Sequence, residues 1–232
     1  EVIEAQCPLR VEYYGLRDGS CGDGAFRGGL GMRREIKVLS DTASLSVLSD
    51  KNIIPPFGVA GGGSGAPNRF TVIRDGVVIE PSPMPGKVAG FEMQAGDVVR
   101  MESSGGGGYG DPLERDPSRV AQDVAHGYIA AADAETRYGV RLDSKLRVDA
   151  EATAAERAAL RAARVAVTVE AANRDAWDGP RRLIAIAPPL AADLAVGPGD
   201  IVEIISEGGA SLRGWVTVDP SAQKGAIALG PD

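Results

Sequence analysis

The sequence predicts an α+β protein in which a β-rich N-terminal region, a short helical middle and a small, barrel-like β region follow one another along the chain. Of the 31 glycines among the 232 residues, 21 lie in residues 1–116, two in residues 117–164 and eight in residues 165–232. Alternation of polar and apolar residues, which is typical of half-buried strands, marks the first and last regions, whereas helical spacing marks the middle one. We therefore divide the chain into residues 1–116, 117–164 and 165–232.

Residues 1–116 have the pattern of short strands joined by glycine turns. Residues 33–39 alternate polar and apolar side chains, which predicts a strand. Asp75-Gly76 lies between two apolar segments and predicts a hairpin, because this dipeptide accepts the positive φ angles of a type I′ turn. Residues 95–101 are a further turn followed by a strand. Short strands at this spacing predict a sandwich, a barrel or a meander.

Residues 117–164 have the pattern of helices. Asp116 is a typical N-cap, and Pro117 follows it at the first helical position, where the missing N–H costs nothing. Apolar side chains then recur on one helical face over residues 120–128. Gly139 is placed to end a short second helix as its C-cap glycine.

A capping box at residues 153–156 predicts the start of the last helix of the middle region. Residues 165–232 then return to β structure. Strand-like segments occur at residues 181–186, 201–205 and 212–218, and a Gly-Pro-Gly-Asp turn precedes the second of them. These turn-strand units resemble those of small β-barrels, which is why we expect a barrel-like C-terminal region.

The composition excludes several classes of function. The chain has 25 basic and 32 acidic residues and a net charge of −7, so neither nucleic acid nor an anionic membrane is an expected partner. No apolar run is long enough for a membrane span, and no leader sequence is recognisable. Two cysteines cannot form a disulfide framework and fit a reducing cytosol, so we expect a cytoplasmic protein.

Glu1, rather than Met, opens the chain, and residues 1–11 have the pattern of a strand, so we expect a fragment, a processed product or an incomplete chain.

The most specific local feature is a glycine-rich run that contains Gly105, Gly106, Gly107, Gly108, Tyr109, Gly110 and Asp111. Such a run lets backbone N–H groups approach an anion closely, and this one lies between a strand and a helix N-terminus, where phosphate binds well. The run lacks the Gly-Lys-Ser/Thr ending of a P-loop and the spacing of a dinucleotide fingerprint. We favour the alternative, a tight backbone crossing packed against another chain.

The other candidate residues carry weaker signals. Residues 60–65 are a second glycine run, which we interpret as a plain loop between strands rather than a loop over a site. Arg27 lies in a glycine-dense turn, where we expect a buried or interfacial charge.

His126 is the single histidine, which argues against a metal site within this chain. As a general base it would need a partner that the sequence does not place, so we favour a partly buried helix histidine. Cys7 and Cys21 match no metal or redox spacing, and no catalytic residue is assigned.

Four ordered motifs give the chain a resemblance to a known family. They are RVEYYGLR at residues 10–17 with GAFRGGLG at residues 24–31, PFGVAGG at residues 56–62, GGGGYGDPLERDP at residues 105–117, and residues 120–140, which end in YGV. Over residues 1–164 the chain resembles the C-terminal third of the B-like subunit of the hydantoinase B/oxoprolinase family. Residues 165–232 resemble a C-terminal extension of some members. Cys21 departs from the pattern, since glycine is more usual there in the family.

The resemblance implies an ATP-dependent enzyme with two kinds of subunit. In this family ATP binds to a hydantoinase A-like subunit, which phosphorylates the amide or carbonyl oxygen of a hydantoin, a lactam or 5-oxoproline, and the B-like subunit completes ring opening at a metal site. Related subunits act in acetone and acetophenone carboxylation. The resemblance places ATP with Mg²⁺, and a divalent metal, in the partner chain or in the N-terminal part of the B-like subunit, so no cofactor is expected on this chain.

The expected role is therefore that of scaffold and subunit interface in an ATP-dependent amidohydrolase that opens a cyclic amide. The expected partners, in a hetero-oligomer, are the hydantoinase A-like subunit and the N-terminal part of the B-like subunit. We expect residues 105–111 to form a buried crossing near their junction. A subunit of an ATP-dependent ketone carboxylase and a non-catalytic assembly module stay open as alternatives.

Overall fold

A computed structural model describes residues 2–171, 177–178, 181–206, 209–223 and 225–229. Its helices are α1 (Val2–Gln6), α2 (Pro117–Ala125), α3 (Ala131–Thr136), α4 (Ala150–Ala162) and α5 (Pro188–Asp193), with a 3₁₀ turn at Pro112–Glu114. Its strands are β1 (Leu9–Arg17), β2 (Gly31–Val38), β3 (Thr42–Leu48), β4 (Arg69–Arg74), β5 (Val77–Ile79), β6 (Lys87–Gln94), β7 (Val98–Glu102), β8 (Thr168–Ala171), β9 (Trp177–Asp178), β10 (Arg181–Ile186), β11 (Ile201–Ile204), β12 (Leu212–Val218) and β13 (Ala226–Leu229). This mixture of helices and sheets confirms the α+β class.

The chain divides into two compact units. The first contains Glu1–Arg157 and Ser206–Ala210, and the second contains Ala158–Ile205 and Ser211–Asp232. The three-region division at residues 1–116, 117–164 and 165–232 stays a prediction.

The first unit is built on an antiparallel five-stranded sheet with the strand order β1-β2-β7-β4-β5, and β3 pairs with β6 in a second, two-stranded sheet. The predicted hairpin is confirmed, since Asp75 (φ 51°) and Gly76 (φ 80°) join β4 to β5. Side chains from both sheets form one core, because alternate residues of each strand point to the same side. Its buried members are Val38, Val72, Met93 and Val99.

The described residues begin with a helix, so the strand predicted for residues 1–11 is wrong over residues 2–6. Residues 2–6 form α1, whose Glu4 carboxylate accepts the main-chain N–H of Val11 at 2.9 Å. Glutamate, alanine and glutamine favour helix more than strand, and these residues bury no side chain that would select a sheet. Strand β1 begins only at Leu9.

Within the first unit, a second core joins helices α2 and α3 to the glycine-rich region. The predicted N-cap of α2 is confirmed, since the Asp116 carboxylate accepts the N–H of Ser118 at 2.8 Å. Gly139 has a positive φ of 59° and lies three residues after the end of α3. The buried members of this core are Cys21, Val120, Ile129, Ala134, Tyr138 and Val140. Because Cys21 comes from the glycine-rich region, this core joins the helices to that region.

The second unit contains a mixed sheet with the order β11-β12-β10-β13-β8, and β9 pairs with β10. The β10–β12 and β13–β8 pairs are parallel. Among the described strands this sheet is open, so the barrel-like closure expected for residues 165–232 is not observed. Turn-strand patterns specify local pairs, whereas closure needs a long-range pairing that they do not encode. Helix α5 supplies Leu190 and Ala191 to the core of this unit.

None of the described helices combines the length and the apolar composition that crossing a membrane requires.

Candidate functional site

Three glycine-rich segments lie side by side in the first unit: residues 22–29, 58–65 and 105–110. We call these segments the glycine layer. Apart from isolated bridges they belong to no helix or strand, and main-chain hydrogen bonds join them directly. These bonds run from Gly22 N–H to the Gly106 carbonyl (2.8 Å), from Gly63 N–H to the Asp23 carbonyl (2.7 Å) and from Gly108 N–H to the Gly63 carbonyl (2.9 Å). The two glycine runs at residues 60–65 and 105–111, which lie far apart in the sequence, are therefore parts of one structure.

Close approach of one backbone to another requires glycine in this layer. A Cβ added at Gly105 would lie 1.8 Å from the Ser20 carbonyl oxygen, and one at Gly107 would lie 1.8 Å from that of Phe57. No side chain fits at such distances, because backbone atoms cannot move aside as a flexible side chain can. Residues 105–110 therefore form a tight backbone crossing. The segments that they cross belong to this chain, whereas a crossing against another chain was expected from the sequence, because a glycine pattern shows that backbones meet but does not show which ones.

Five main-chain N–H groups of this run are already used. Those of five residues donate to carbonyl oxygens of the neighbouring segments, at 2.9 to 3.2 Å: Gly105, Gly106, Gly108, Tyr109 and Gly110. The Asp111 carboxylate accepts the N–H of Leu113 at 2.9 Å and caps the 3₁₀ turn. This arrangement supports the backbone and leaves these five donors unavailable for the anion cradle considered from the sequence.

A buried carboxylate between two guanidinium groups joins the glycine layer to α2. Arg27 Nε lies 3.0 Å from Asp123 Oδ2, and Arg115 Nη2 donates to the same oxygen at 2.8 Å. Arg27 also lies over the Tyr128 ring, 5.1 Å from its centroid. The expectation of a buried or interfacial charge at Arg27 thus corresponds to a largely buried ion pair inside the first unit. Sequence reasoning missed Arg115 and Asp123, since no spacing rule connects either of them to residue 27.

His126 is the C-cap of α2 and is exposed, so the interpretation as a partly buried helix histidine is wrong. The helix ends earlier than its apolar spacing suggests, because Gly127 turns the chain with a φ of 74°. The neighbour that the structure gives to the His126 ring is Tyr128, at a centroid distance of 5.2 Å. No carboxylate is brought to His126 as a general-base partner within the part of the chain that the structure describes.

The two cysteines differ in their surroundings. Cys7 is exposed, whereas Cys21 is buried in the core beneath the helices. Burial raises the pKa of the Cys21 thiol, and it likewise raises the pKa of the Tyr138 hydroxyl. Both groups are therefore neutral near pH 7 and are poorly suited to nucleophilic or acid–base chemistry.

Across the described ranges, no three side chains of His, Cys, Asp or Glu are grouped so that they could hold a metal ion. The arrangement around the glycine layer is that of a rigid support, and no catalytic constellation is found there.

The family model described as Hydantoinase B/oxoprolinase matches residues 1–112, which hold the five-stranded sheet and the whole glycine layer. Over these residues the chain is similar to the hydantoinase B/oxoprolinase family. The resemblance drawn from the four motifs is thereby confirmed, and the glycine layer is part of the hydantoinase B-like portion of the chain.

Individual proteins support this assignment. The B-type subunit of a putative D-/L-hydantoinase from Pseudomonas sp. (strain NS671) is 37% identical over 153 residues, which are 66% of this chain and 26% of that protein. The crystal structure of the ATP-dependent caprolactamase from Pseudomonas jessenii matches with a TM-score of 0.58 and 31% identity, over 68% of this chain and 27% of the other. A nucleotide-free structure of an ATP-dependent acetone carboxylase matches with a TM-score of 0.51 and 26% identity, over 67% of this chain and 25% of the other. The hydantoinase B-like chain spans about a quarter of the length of curated relatives that it matches.

Proposed function

We propose that this chain is the scaffold and subunit-interface part of an ATP-dependent hydrolase that opens a cyclic amide. The observation that carries the proposal is the match to the ATP-dependent caprolactamase, because one protein there combines 31% sequence identity with a TM-score of 0.58. Caprolactam is a cyclic amide, and the similarity to the putative hydantoinase points to the same class of bond. Hydantoins, lactams and 5-oxoproline are the substrate classes that we propose.

The scaffold role is supported by what the described residues do. The glycine layer uses its N–H groups to join its own segments, and the Asp123 carboxylate is held between two arginines. The described residues offer no donor set for a divalent metal, so no step is assigned to a metal on this chain. We propose that ATP with Mg²⁺ and the divalent metal are bound by a hydantoinase A-like subunit and by the remainder of a B-like polypeptide. ATP would supply the phosphoryl group that activates the amide oxygen, and the metal a water that is nucleophilic at neutral pH.

The second candidate is a subunit of an ATP-dependent ketone carboxylase. The acetone carboxylase structure favours it, since it matches over 67% of the chain. Its TM-score of 0.51 and its identity of 26% are both lower than those of the caprolactamase. We therefore prefer the hydrolase to the carboxylase as the proposed function.

The test is to purify the chain from its own cells with the polypeptides that accompany it. The complex is then given ATP and Mg²⁺ with hydantoin, caprolactam or 5-oxoproline in one series, and with acetone and bicarbonate in the other. We expect phosphate release that depends on a cyclic amide, the ring-opened product by mass spectrometry, and no turnover by the chain alone. Phosphate release that needs the ketone and bicarbonate would replace the hydrolase by the carboxylase, and turnover by the isolated chain would contradict the scaffold role.

A further inference from the structure

Four large apolar side chains in or beside the glycine layer are exposed. Phe26 and Tyr109 form an isolated antiparallel bridge, and Val59 and Tyr109 form a parallel one. Residues that face each other across neighbouring extended segments point to the same side, so Phe26, Tyr109 and Val59 share a face. Phe57 lies two residues before Val59 and is exposed as well. We call Phe26, Phe57, Val59 and Tyr109 the apolar row.

The apolar row is exposed. The exposed fractions are 62% for Phe26, 57% for Tyr109, 51% for Phe57 and 37% for Val59, and the rings of Phe26 and Tyr109 lie 6.4 Å apart. Single exposed apolar residues are normal, but a contiguous row contributed by three separate segments marks an interaction surface.

The neighbouring glycines explain why the row is on this face. A Cβ at Gly58 would lie 2.0 Å from the Gly62 carbonyl oxygen, and one at Gly108 would lie 1.9 Å from that of Asp23. The segments therefore place glycine towards the other backbones and a large apolar residue away from them. This alternation shows that packing within the layer does not account for the apolar row, since backbone contacts close the layer at Gly58 and Gly108.

Main-chain hydrogen bonds fix the positions of the row. Tyr109 and Phe26 exchange two bonds of 2.9 and 3.0 Å, Val59 N–H donates to the Gly108 carbonyl at 2.9 Å, and Gly110 N–H donates to the Val59 carbonyl at 3.0 Å. Residues 209–210, which group with the first unit, pair beside Val59 and leave it partly exposed. A surface that is already ordered loses little conformational entropy on binding.

Two other exposed aromatic side chains of the first unit, in contrast, contact arginines of the same chain. The ring of Tyr13 has Arg33 over it at 5.2 Å, and that of Tyr14 has Arg34 at 5.9 Å. These tyrosines have partners within the chain, and Tyr14, which is 63% exposed, is a suitable control for the apolar row.

We propose that the apolar row is the docking surface for the part of a hydantoinase B-type polypeptide that has no counterpart in these 232 residues. The inference rests on the proposed function. The match covers 27% of the caprolactamase chain, so about three quarters of such a polypeptide lies outside the matched portion and supplies the surface that would cover the row. The row contains no charged residue, and the matching surface is therefore expected to be apolar.

The test uses two separately produced proteins. The probe is the part of the Pseudomonas jessenii caprolactamase chain that lies outside the match, and its affinity for this chain is measured by isothermal titration calorimetry. We expect binding by the wild-type chain, a loss of affinity of at least about tenfold for Phe26→Ala and for Tyr109→Ala, and an unchanged affinity for Tyr14→Ala. The urea midpoints of the variants are measured alongside, and we expect them to stay close to wild type because all three side chains are exposed.

Three results would overturn the proposal: no binding by the wild-type chain, an equal loss for Tyr14→Ala, or self-association in sedimentation experiments that the row variants abolish. The last result would identify a second copy of this chain as the occupant. Since this test contains neither ATP nor substrate, its failure is separate from that of the proposed function, and docking would stand even if the complex proved to be a carboxylase.

Discussion

The Asp97 side chain is buried in the turn between β6 and β7, with 2% of its surface exposed. Its carboxylate accepts hydrogen bonds from Arg74 Nε at 2.9 Å, from Arg74 Nη2 at 2.7 Å and from the main-chain N–H of Gln94 at 2.8 Å. The Arg74 guanidinium holds the pKa of this carboxyl below its usual value, and the Gln94 N–H acts in the same direction. A carboxyl whose pKa is lower in the folded state stabilises the protein above its unfolded pKa, and this stabilisation is lost as the pH falls through the folded pKa.

We expect Asp97→Asn to lower the free energy of unfolding by about 2 kcal/mol at pH 7, because it removes hydrogen bonds to a charged group. The difference between wild type and variant should shrink as the pH falls below about 4, because the carboxyl of the unfolded chain takes up its proton there while the folded carboxylate, with its lower pKa, still resists protonation. Urea unfolding at several pH values between 7 and 3 measures this. Asp50→Asn is the matched control, since Asp50 pairs with Lys87 but is 91% exposed, and we expect its effect to stay below about 1 kcal/mol. A pH-independent difference for Asp97→Asn would contradict the electrostatic explanation.

At this scale the sequence predicted positions better than partners. Asp97 was placed correctly in a turn before a strand, but Arg74 lies 23 residues away and no local pattern connects the two. The same is true of the contact between Arg27 and Asp123. Arg27 was recognised as a charge in a crowded turn, yet its neutralising carboxylate lies on a helix of another region. Side-chain partners of this kind depend on tertiary packing, which short-range spacing does not encode.

Secondary-structure elements were predictable where their cause is local. The Asp75-Gly76 hairpin and the N-cap of α2 depend on a few adjacent residues, and both are present. Elements with distant causes were missed or only half recognised. The glycine run at residues 105–110 was identified as a tight crossing, but the two segments that it crosses are about 45 and 80 residues earlier in the chain. Composition identified the glycines, and only the fold shows that they form one layer.

The glycine layer predicts an unequal response to the same substitution. Gly105→Ala would place a methyl group 1.8 Å from the Ser20 carbonyl oxygen, whereas nothing lies within 4 Å of a methyl group at Gly29. We expect Gly105→Ala to lower the free energy of unfolding by at least about 3 kcal/mol, as overpacking does at the upper end of its range. Gly29→Ala should be neutral or stabilise by up to about 1 kcal/mol, because it restricts the unfolded chain. Urea midpoints measure both, and similar midpoints for the two variants would contradict the contacts assigned to Gly105.

At the scale of the whole molecule, each unit has apolar clusters of its own. The clusters around Val72 and Val120 contain buried residues of the first unit, and the cluster around Ile184 contains those of the second. No cluster among the described residues draws buried side chains from both. A compact unit with its own core is the usual condition for separate cooperative unfolding.

The last prediction follows from these separate cores. Both tryptophans, Trp177 and Trp215, lie in the second unit, so tryptophan fluorescence follows its unfolding, while hydrogen exchange of peptides from residues 20–140 follows the first unit. We expect Gly105→Ala to speed exchange in those peptides and to leave the fluorescence midpoint in urea unchanged. Gly214→Ala is the reciprocal variant, since its added methyl group would lie 2.6 Å from Ile184 Cγ1 in the core of the second unit. It should lower the fluorescence midpoint and leave the exchange of the first unit unchanged. If either variant changed both the hydrogen exchange of the first unit and the fluorescence midpoint of the second, the two units would unfold in one cooperative transition. Each buried cluster would then not define a separate cooperative unit.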